Sequence, residues 1–225
     1  MKKLGLLTHN WLVRYRFQRQ LRAHAGHIRG HVLDLGCGER HNESFILERA
    51  DSYLGVDWSQ TLHRPMMDLV ADLNCPIPLP DASADTVFSV SVLEHLHNPR
   101  MLIDESFRLL RPGGTLVLQV PFQWRIHEAP YDYFRFTSFG LQHLLRNAGY
   151  QDFEILPTTG FWSTWVLKLN YHSLRWLRGP RWLRIALRLL LIPFWFANQA
   201  AALLLDRNNP NPEETQGYLV IARHP

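Results

Sequence analysis

The segment that most limits what this chain can become is His31-Val32-Leu33-Asp34-Leu35, a short apolar run that breaks at once into Gly36-Cys37-Gly38. Such a run, bounded by glycine, reads as a buried strand. Glycines at its end let the backbone take positive φ and approach a ligand closely. A second run, Ser52 to Val56, ends at Asp57, 19 residues past Gly38. In a βαβ unit an acid at about that offset meets a ribose hydroxyl pair.

The rest of the chain repeats the alternation. A helix is expected over Thr8–Ala25, with Trp11, Leu12 and Tyr15 on one face, and a second over Asn42–Ala50. Met67–Leu73 reads as a third strand, followed by the irregular Pro76–Pro80, and Asp85–Val90 as a fourth. Pro99–Leu110 is a helix stopped by Arg111-Pro112-Gly113-Gly114, and Thr115–Val120 is the fifth strand. Ser138–Asn147 is a helix ended by Gly149. Tyr150–Leu156 and Gly217–Ala222 are the last two strands. Strands alternating with helices imply a seven-stranded, mostly parallel sheet with helices on both faces. The 225 residues suit one domain, with an N-terminal helix within 1–30 and an apolar helical insertion, 160–205, between strands six and seven.

Two cofactors use a glycine turn of this kind at the carboxyl end of a first strand. A dinucleotide wants three glycines and a helix N-terminus facing its pyrophosphate. Here the third glycine position is His41, and Glu39 sits where phosphate would lie. S-adenosylmethionine has no phosphate and carries an ammonium and a sulfonium, so an acid at Asp34 favours it.

Val32-Leu33-Asp34-Leu35-Gly36-Cys37-Gly38 resembles motif I of class I S-adenosylmethionine-dependent methyltransferases. Asp72-Leu73, Leu79-Pro80-Asp81, Ala84–Val87, Ser91-Val92-Leu93-Glu94-His95 and Leu109–Leu116 resemble the type-11 methyltransferase-domain group, in the right order from Val32 to Val120. The resemblance implies a Rossmann-like fold and S-adenosyl-L-methionine as cofactor. It sets Asp34, Gly36 and Gly38 around the methionine moiety, Asp57 on the ribose, and Asp72 and Leu73 at the adenine. Ser91, Val92 and Glu94 would follow the fourth strand beside the cofactor. Cys37 lies in the same turn and reads equally as a small buried residue. Trp58 either stacks on the adenine or caps the core.

A hydroxyl acceptor needs a base within hydrogen-bond reach. His95 follows the fourth strand. His127 lies in the loop Pro121–Thr137, whose His-x-x-Pro-Tyr-Asp-Tyr-x-Arg-x-Thr pattern resembles methyltransferases found with bacterial surface-glycan genes. His127 is the favoured base, with Tyr131, Tyr133 and Arg135 shaping the acceptor pocket. The competing reading has His127 and Arg135 pin the loop and His95 start a helix.

Chain composition bounds the partners. Cys37 and Cys75 form no CxxC and no Cys/His cluster, so neither a disulfide framework nor a zinc site is expected and no metal is assigned. The Met1-Lys2-Lys3-Leu4 start gives way to Thr8-His9-Asn10 and arginines, so a cytoplasmic protein is expected rather than a secreted one. The net charge of +4 is local. Between Glu154 and Asp206 there is no acid, while Arg175, Arg178, Arg181, Arg184 and Arg188 recur every three or four residues beside five of the eight tryptophans. Gly179-Pro180 splits that stretch, and Pro193 interrupts Leu189–Leu205, leaving a marginal membrane span. A helix lying on an anionic membrane surface fits better; a lid over the active site is the alternative. Aliphatic density argues against nucleic acid.

The expected function is methyl transfer to a small or lipid-linked acceptor, a glycan or glycolipid hydroxyl. The rival readings are a noncatalytic cofactor-binding module, a quinone or other lipid methyltransferase, a nicotinamide oxidoreductase and an RNA methyltransferase.

Overall fold

The backbone alternates strand and helix as the apolar periodicity requires. The computed structural model describes residues 5–59, 66–208, 211 and 213–225; the Met1–Leu4 start lies outside them. In chain order the elements are α1 (Trp11–Ala23), β1 (Gly30–Leu35), α2 (Glu43–Ile46), β2 (Ala50–Asp57), β3 (Leu69–Val70), β4 (Ala84–Val90), α3 (Pro99–Leu109) and β5 (Leu110–Pro121). They continue with α4 (Ser138–Ala148), β6 (Asp152–Pro157), α5 (Phe161–Ser173), α6 (Arg181–Asn208) and β7 (Gly217–Arg223).

The seven strands form one sheet in the order β3-β2-β1-β4-β5-β7-β6. β1 pairs in parallel with both β2 and β4, and β2–β3 and β4–β5 are parallel as well. The chain runs outward from β1 through β2 to β3, then returns to β4 on the other side. The carboxyl ends of β1 and β4 therefore flank the switch point, where this architecture opens a crevice for ligands.

Three sequence expectations shrink or change. The third strand is two residues, Leu69–Val70, not Met67–Leu73. Only Val56 and Asp57 of β2 pair with it, so nothing extends the ladder. The second helix is a single turn, because β2 begins at Ala50 and leaves no length for more. Pro193 does not interrupt α6, which runs 28 residues straight through it. Leu189, whose carbonyl Pro193 leaves without an N–H, lies on the exposed side where water can satisfy it.

Where one domain with two appendages was expected, contacts divide the chain into two compact units. The first comprises Ala23–Leu156 and Tyr218–Pro225 among the described residues and holds the sheet. Its core is built from Leu33, Leu35, Val56, Val87, Leu116 and Leu118, with Leu102, Leu109, Leu141 and Leu145 supplied by α3 and α4. The second unit joins the N-terminal helix to the insertion. There Trp11, Leu12, Val166 and Ala202 make a small core between α1, α5 and α6. Polar side chains fasten the three helices. The Gln199 side chain accepts from the Leu12 N–H at 3.0 Å and donates to the Thr8 carbonyl at 3.0 Å. Asp206 accepts from the Trp162 and Ser163 N–H groups and pairs with Arg16 at 3.2 Å. Because the N-cap of α5 is Gly160, which has no side chain, Asp206 supplies the missing cap from α6.

Candidate active site

The crevice at the switch point is a cavity of about 380 Å³. Its floor is the turn after β1. Gly36 sits at φ +82°, and a Cβ there would lie 2.2 Å from Val92 Cγ2, so no other residue fits. The Gly36 and Cys37 N–H groups donate to the Val56 carbonyl at 2.8 and 3.1 Å, which draws the turn against β2. Gly38 donates its N–H to Asp57 Oδ2 at 2.7 Å, and Trp58 donates its own to Oδ1 at 2.8 Å. The acid at the tip of β2 is thus oriented by the glycine turn 19 residues before it.

Nearly every expected cofactor residue lines this cavity: Asp34, Gly36, Cys37, Gly38, Asp57, Trp58, Asp72, Leu73, Ser91 and Val92. Trp58 stands edge-on to Tyr131, ring centroids 5.3 Å apart, as part of the cavity wall rather than a cap on the core. Burial pushes the Cys37 thiol up to about 12, which keeps it an unreactive small side chain. Glu94 is the exception. It is not among the lining residues and points instead into a cluster described below.

Electrostatics give the cavity its character. Five carboxylates line it (Asp34, Glu39, Asp57, Asp72 and Glu128), and no lysine or arginine does among the described residues. Asp34 is fully buried, and burial pushes its carboxyl up to about 7; the hydrogen bond donated by the Tyr53 hydroxyl at 2.7 Å opposes that rise. A pyrophosphate would be repelled here. A ligand bearing an ammonium and a sulfonium would be drawn in, so these residues fit S-adenosylmethionine.

Beyond the carboxyl end of β4 the chain makes a 3₁₀ turn, Leu93–His95. The loop after β5 folds against it: the Tyr133 and Phe134 N–H groups donate to the Glu94 carbonyl at 2.9 and 3.2 Å. His95 and His127 thereby meet, ring centroids 4.7 Å apart. His95 lines the cavity; His127 lies behind it. His95 Nδ1 faces the Tyr131 carbonyl at 2.8 Å, an acceptor only, so Nδ1 donates there and Nε2 is left facing Glu94 and Glu128. His127 Nδ1 lies 3.3 Å from Asp132 Oδ2 and 3.5 Å from Arg135 Nη2. Burial, then the neighbouring His95, lowers the His127 pKa and keeps the ring neutral.

Arg135 proves to be a loop fastener. It grips Asp132 with two bonds of 2.6 and 2.7 Å and donates to the carbonyls of Trp124, Arg125 and Phe134. All five donors are committed within the loop, so Arg135 is not placed to meet a ligand; of the three residues expected around the acceptor, Tyr131 lines the cavity. Tyr133 and His127 do not. Sequence reasoning missed Tyr53, Glu128 and Asp132. Tyr53 alternates out of an apolar strand, and Asp132 sits three residues before Arg135; spacing alone assigns neither a partner.

Glu94 lies beside both imidazoles, its Oε1 3.6 Å from His95 Nε2 and 3.9 Å from His127 Nε2. It is wholly buried, and neither oxygen has a hydrogen-bond partner among the described residues. Burial pushes its carboxyl up to about 8. Such an unmet group costs about 1–3 kcal/mol.

Comparison with known proteins agrees with this geometry. Residues 33–118 match the family described as Methyltransferase domain. A protein of Mycolicibacterium smegmatis named "Probable S-adenosylmethionine-dependent methyltransferase" is 31% identical over 169 residues, 69% of this chain and 64% of that one. A ubiquinone biosynthesis O-methyltransferase of Psychrobacter arcticus is 29% identical over 168 residues, 64% of this chain and 63% of that one. The chain thus spans somewhat under two thirds of the length of these relatives. Among solved structures the (4+2)-cyclase SpnF superposes with a TM-score of 0.60 at 20% identity, covering 96% of this chain and 83% of that one. That likeness is one of fold. The acidic crevice, the glycine turn that builds it and the matched segment together make the sheet unit a member of the class I S-adenosylmethionine-dependent methyltransferases.

Proposed function

We propose that the chain transfers a methyl group from S-adenosylmethionine to a hydroxyl of a small or lipid-linked acceptor, a glycan or glycolipid. Because the fold is shared with a cyclase, the reading rests on chemistry. The observation that carries it is a cavity with five carboxylates and, among the described residues, no lysine or arginine, bordered by His95. The bound cofactor supplies an electrophilic methyl group with a neutral thioether as leaving group. The chain's own part is alignment and proton removal. Asp34 and the Gly36–Gly38 turn would hold the methionine end, Asp57 the ribose, and Trp58, Asp72 and Leu73 the base. An acceptor oxygen brought to the His95 side of the cavity gives up its proton to the His95–His127–Glu94 cluster, with Tyr131 walling the approach.

The test is transfer of tritium from methyl-labelled S-adenosylmethionine to glycosides, glycolipids and quinols, alongside calorimetry with S-adenosylhomocysteine. Label on a sugar hydroxyl is the expected result. Label only on the quinol would reassign the acceptor. Heat of binding with no label on any acceptor would leave a cofactor-binding module.

A second element of the proposal concerns where the acceptor is met. α6 buries one stripe, Leu191, Trp195, Gln199, Ala202 and Asp206, within its own unit, yet leaves Trp182, Ile185, Leu189, Leu190, Leu204 and Leu205 40–75% exposed, from 42% at Leu205 to 71% at Leu190. Arg181, Arg184 and Arg188 stand exposed along its first turns. The helix is long and apolar enough to cross a membrane by length and composition. One side is engaged by Gln199 and Asp206, however, so a position in the interface, on the cytoplasmic face, suits it better than a span. Sedimentation with phosphatidylglycerol vesicles, weaker with phosphatidylcholine and weakened by salt, is expected. Full recovery in the supernatant at low salt would remove this element.

A further inference from the structure

We infer that Glu94, His95 and His127 form a binding site for a borderline divalent cation of the zinc class. Their ligand atoms, one carboxylate oxygen and two imidazole Nε2 atoms, lie within 4.8 Å of one another. The two distances from Glu94 Oε1 are 3.6 and 3.9 Å. Tetrahedral coordination at zinc bond lengths sets ligand atoms about 3.3–3.4 Å apart, so closure by a few tenths of an ångström to at most about 1.5 Å completes the set.

Three independent features point the same way. Glu94 is wholly buried beside the two rings with both oxygens unpartnered, which a cation would remedy. His95 has its far nitrogen held as metal-binding histidines have theirs, Nδ1 by the Tyr131 carbonyl, while His127 Nδ1 lies between the Asp132 carboxylate at 3.3 Å and Arg135 Nη2 at 3.5 Å. Both Nε2 atoms lie on the side of Glu94 Oε1. Two histidines and one carboxylate are also the donor set of open catalytic zinc sites, which keep a position for water or substrate. His95 borders the cavity, so that position faces the proposed acceptor.

Only the cation's role, not its binding, rests on the methyl-transfer reading. There it would lower the pKa of an acceptor hydroxyl. With the cluster's lone pairs on the cation, the proton would pass instead to the Glu128 carboxylate, 3.8 Å from His95 Nε2, and the electron pair left on oxygen displaces the thioether sulfur from the methyl carbon.

The experiment is calorimetry of the untagged, chelator-treated full chain with zinc chloride alone, repeated with cobalt(II) for its visible spectrum and with magnesium. One equivalent of zinc is expected to bind, cobalt to give the intense bands of tetrahedral coordination, and magnesium to give no matching heat, since imidazole disfavours it. Glu94→Gln and His127→Ala should each weaken zinc at least 10-fold, while His143→Ala, on the exposed side of α4, should leave it unchanged. Unchanged binding of S-adenosylhomocysteine shows that each variant is folded. Absence of a one-equivalent site, or a site indifferent to both variants, overturns the inference. If the wild-type protein binds the homocysteine product but no zinc, the methyl-transfer reading survives and the metal site does not. A purely hydrogen-bonded Glu–His cluster gives that result.

Discussion

Two buried carboxyls at the carboxyl ends of neighbouring strands, Asp34 at the tip of β1 and Glu94 just past β4, have opposite surroundings. Both are raised by burial, to about 7 and about 8. Asp34 has a hydroxyl donating to it at 2.7 Å and opens onto the cavity. The Glu94 carboxyl has two imidazoles near it, no hydrogen bond among the described residues, and no place in the cavity wall. The first is a finished receptor for a cationic ligand. The second is a reactive corner whose polar atoms await a proton, an acceptor or a cation. On the proposed reading, binding and chemistry are divided between two acids about 60 residues apart in sequence.

The sharpest way to break that division is His95→Ala. Turnover should fall 10²- to 10⁴-fold, the usual weight of a proton-transfer group, while affinity for S-adenosylhomocysteine changes little. If affinity collapses with turnover, His95 belongs to the binding region and the comparison fails. Asp57→Ala should do the reverse. Losing a charged hydrogen-bond acceptor should weaken the same ligand about 10- to 100-fold, read by calorimetry.

Asp34 should show itself through pH. Its folded carboxyl holds a proton up to about pH 7, whereas the ordinary value is 3.8. Between those values the folded state binds more protons, so the stability of the ligand-free protein falls as pH rises, by up to about 4 kcal/mol in total. An ammonium-bearing ligand favours the ionised form. Affinity for S-adenosylhomocysteine should therefore climb between pH 6 and pH 8, by at most about tenfold per unit. Asp34→Asn should flatten both profiles; a slope that persists would locate the titrating group elsewhere.

The smallest effect belongs to Tyr53→Phe. Removing the donor should cost about 1–2 kcal/mol and move the midpoint of the affinity profile above that of the wild type, because the hydrogen bond holds the Asp34 pKa down. A midpoint unchanged in denaturation-corrected titrations would mean that burial alone sets it.

Much of this was legible beforehand. Val32–Leu35 reads as a strand because a buried parallel strand is predominantly apolar, with Asp34 the one polar break, and Gly36 and Gly38 announce the turn because positive φ suits few other residues. Boundaries were less legible. β3 is cut to two residues by its neighbour's length, and α6 passes Pro193 because its exposed side forgives a lost hydrogen bond. The role of Arg135 could not be read either. Asp-x-x-Arg looks the same whether the guanidinium faces a substrate or ties down five groups of its own loop.

What the sequence by itself determined is the alternation of strand and helix, the glycine turn and the acid 19 residues beyond it, all local properties of backbone sterics and apolar periodicity. Only the tertiary structure decided that His127, 32 residues from His95, would stand against it, that Asp132 would steady the ring, and that Glu94 would be shut in without a partner. The physical reason is that desolvation and hydrogen-bond geometry depend on which surfaces meet across the sheet's edge, and no spacing along the chain encodes that meeting.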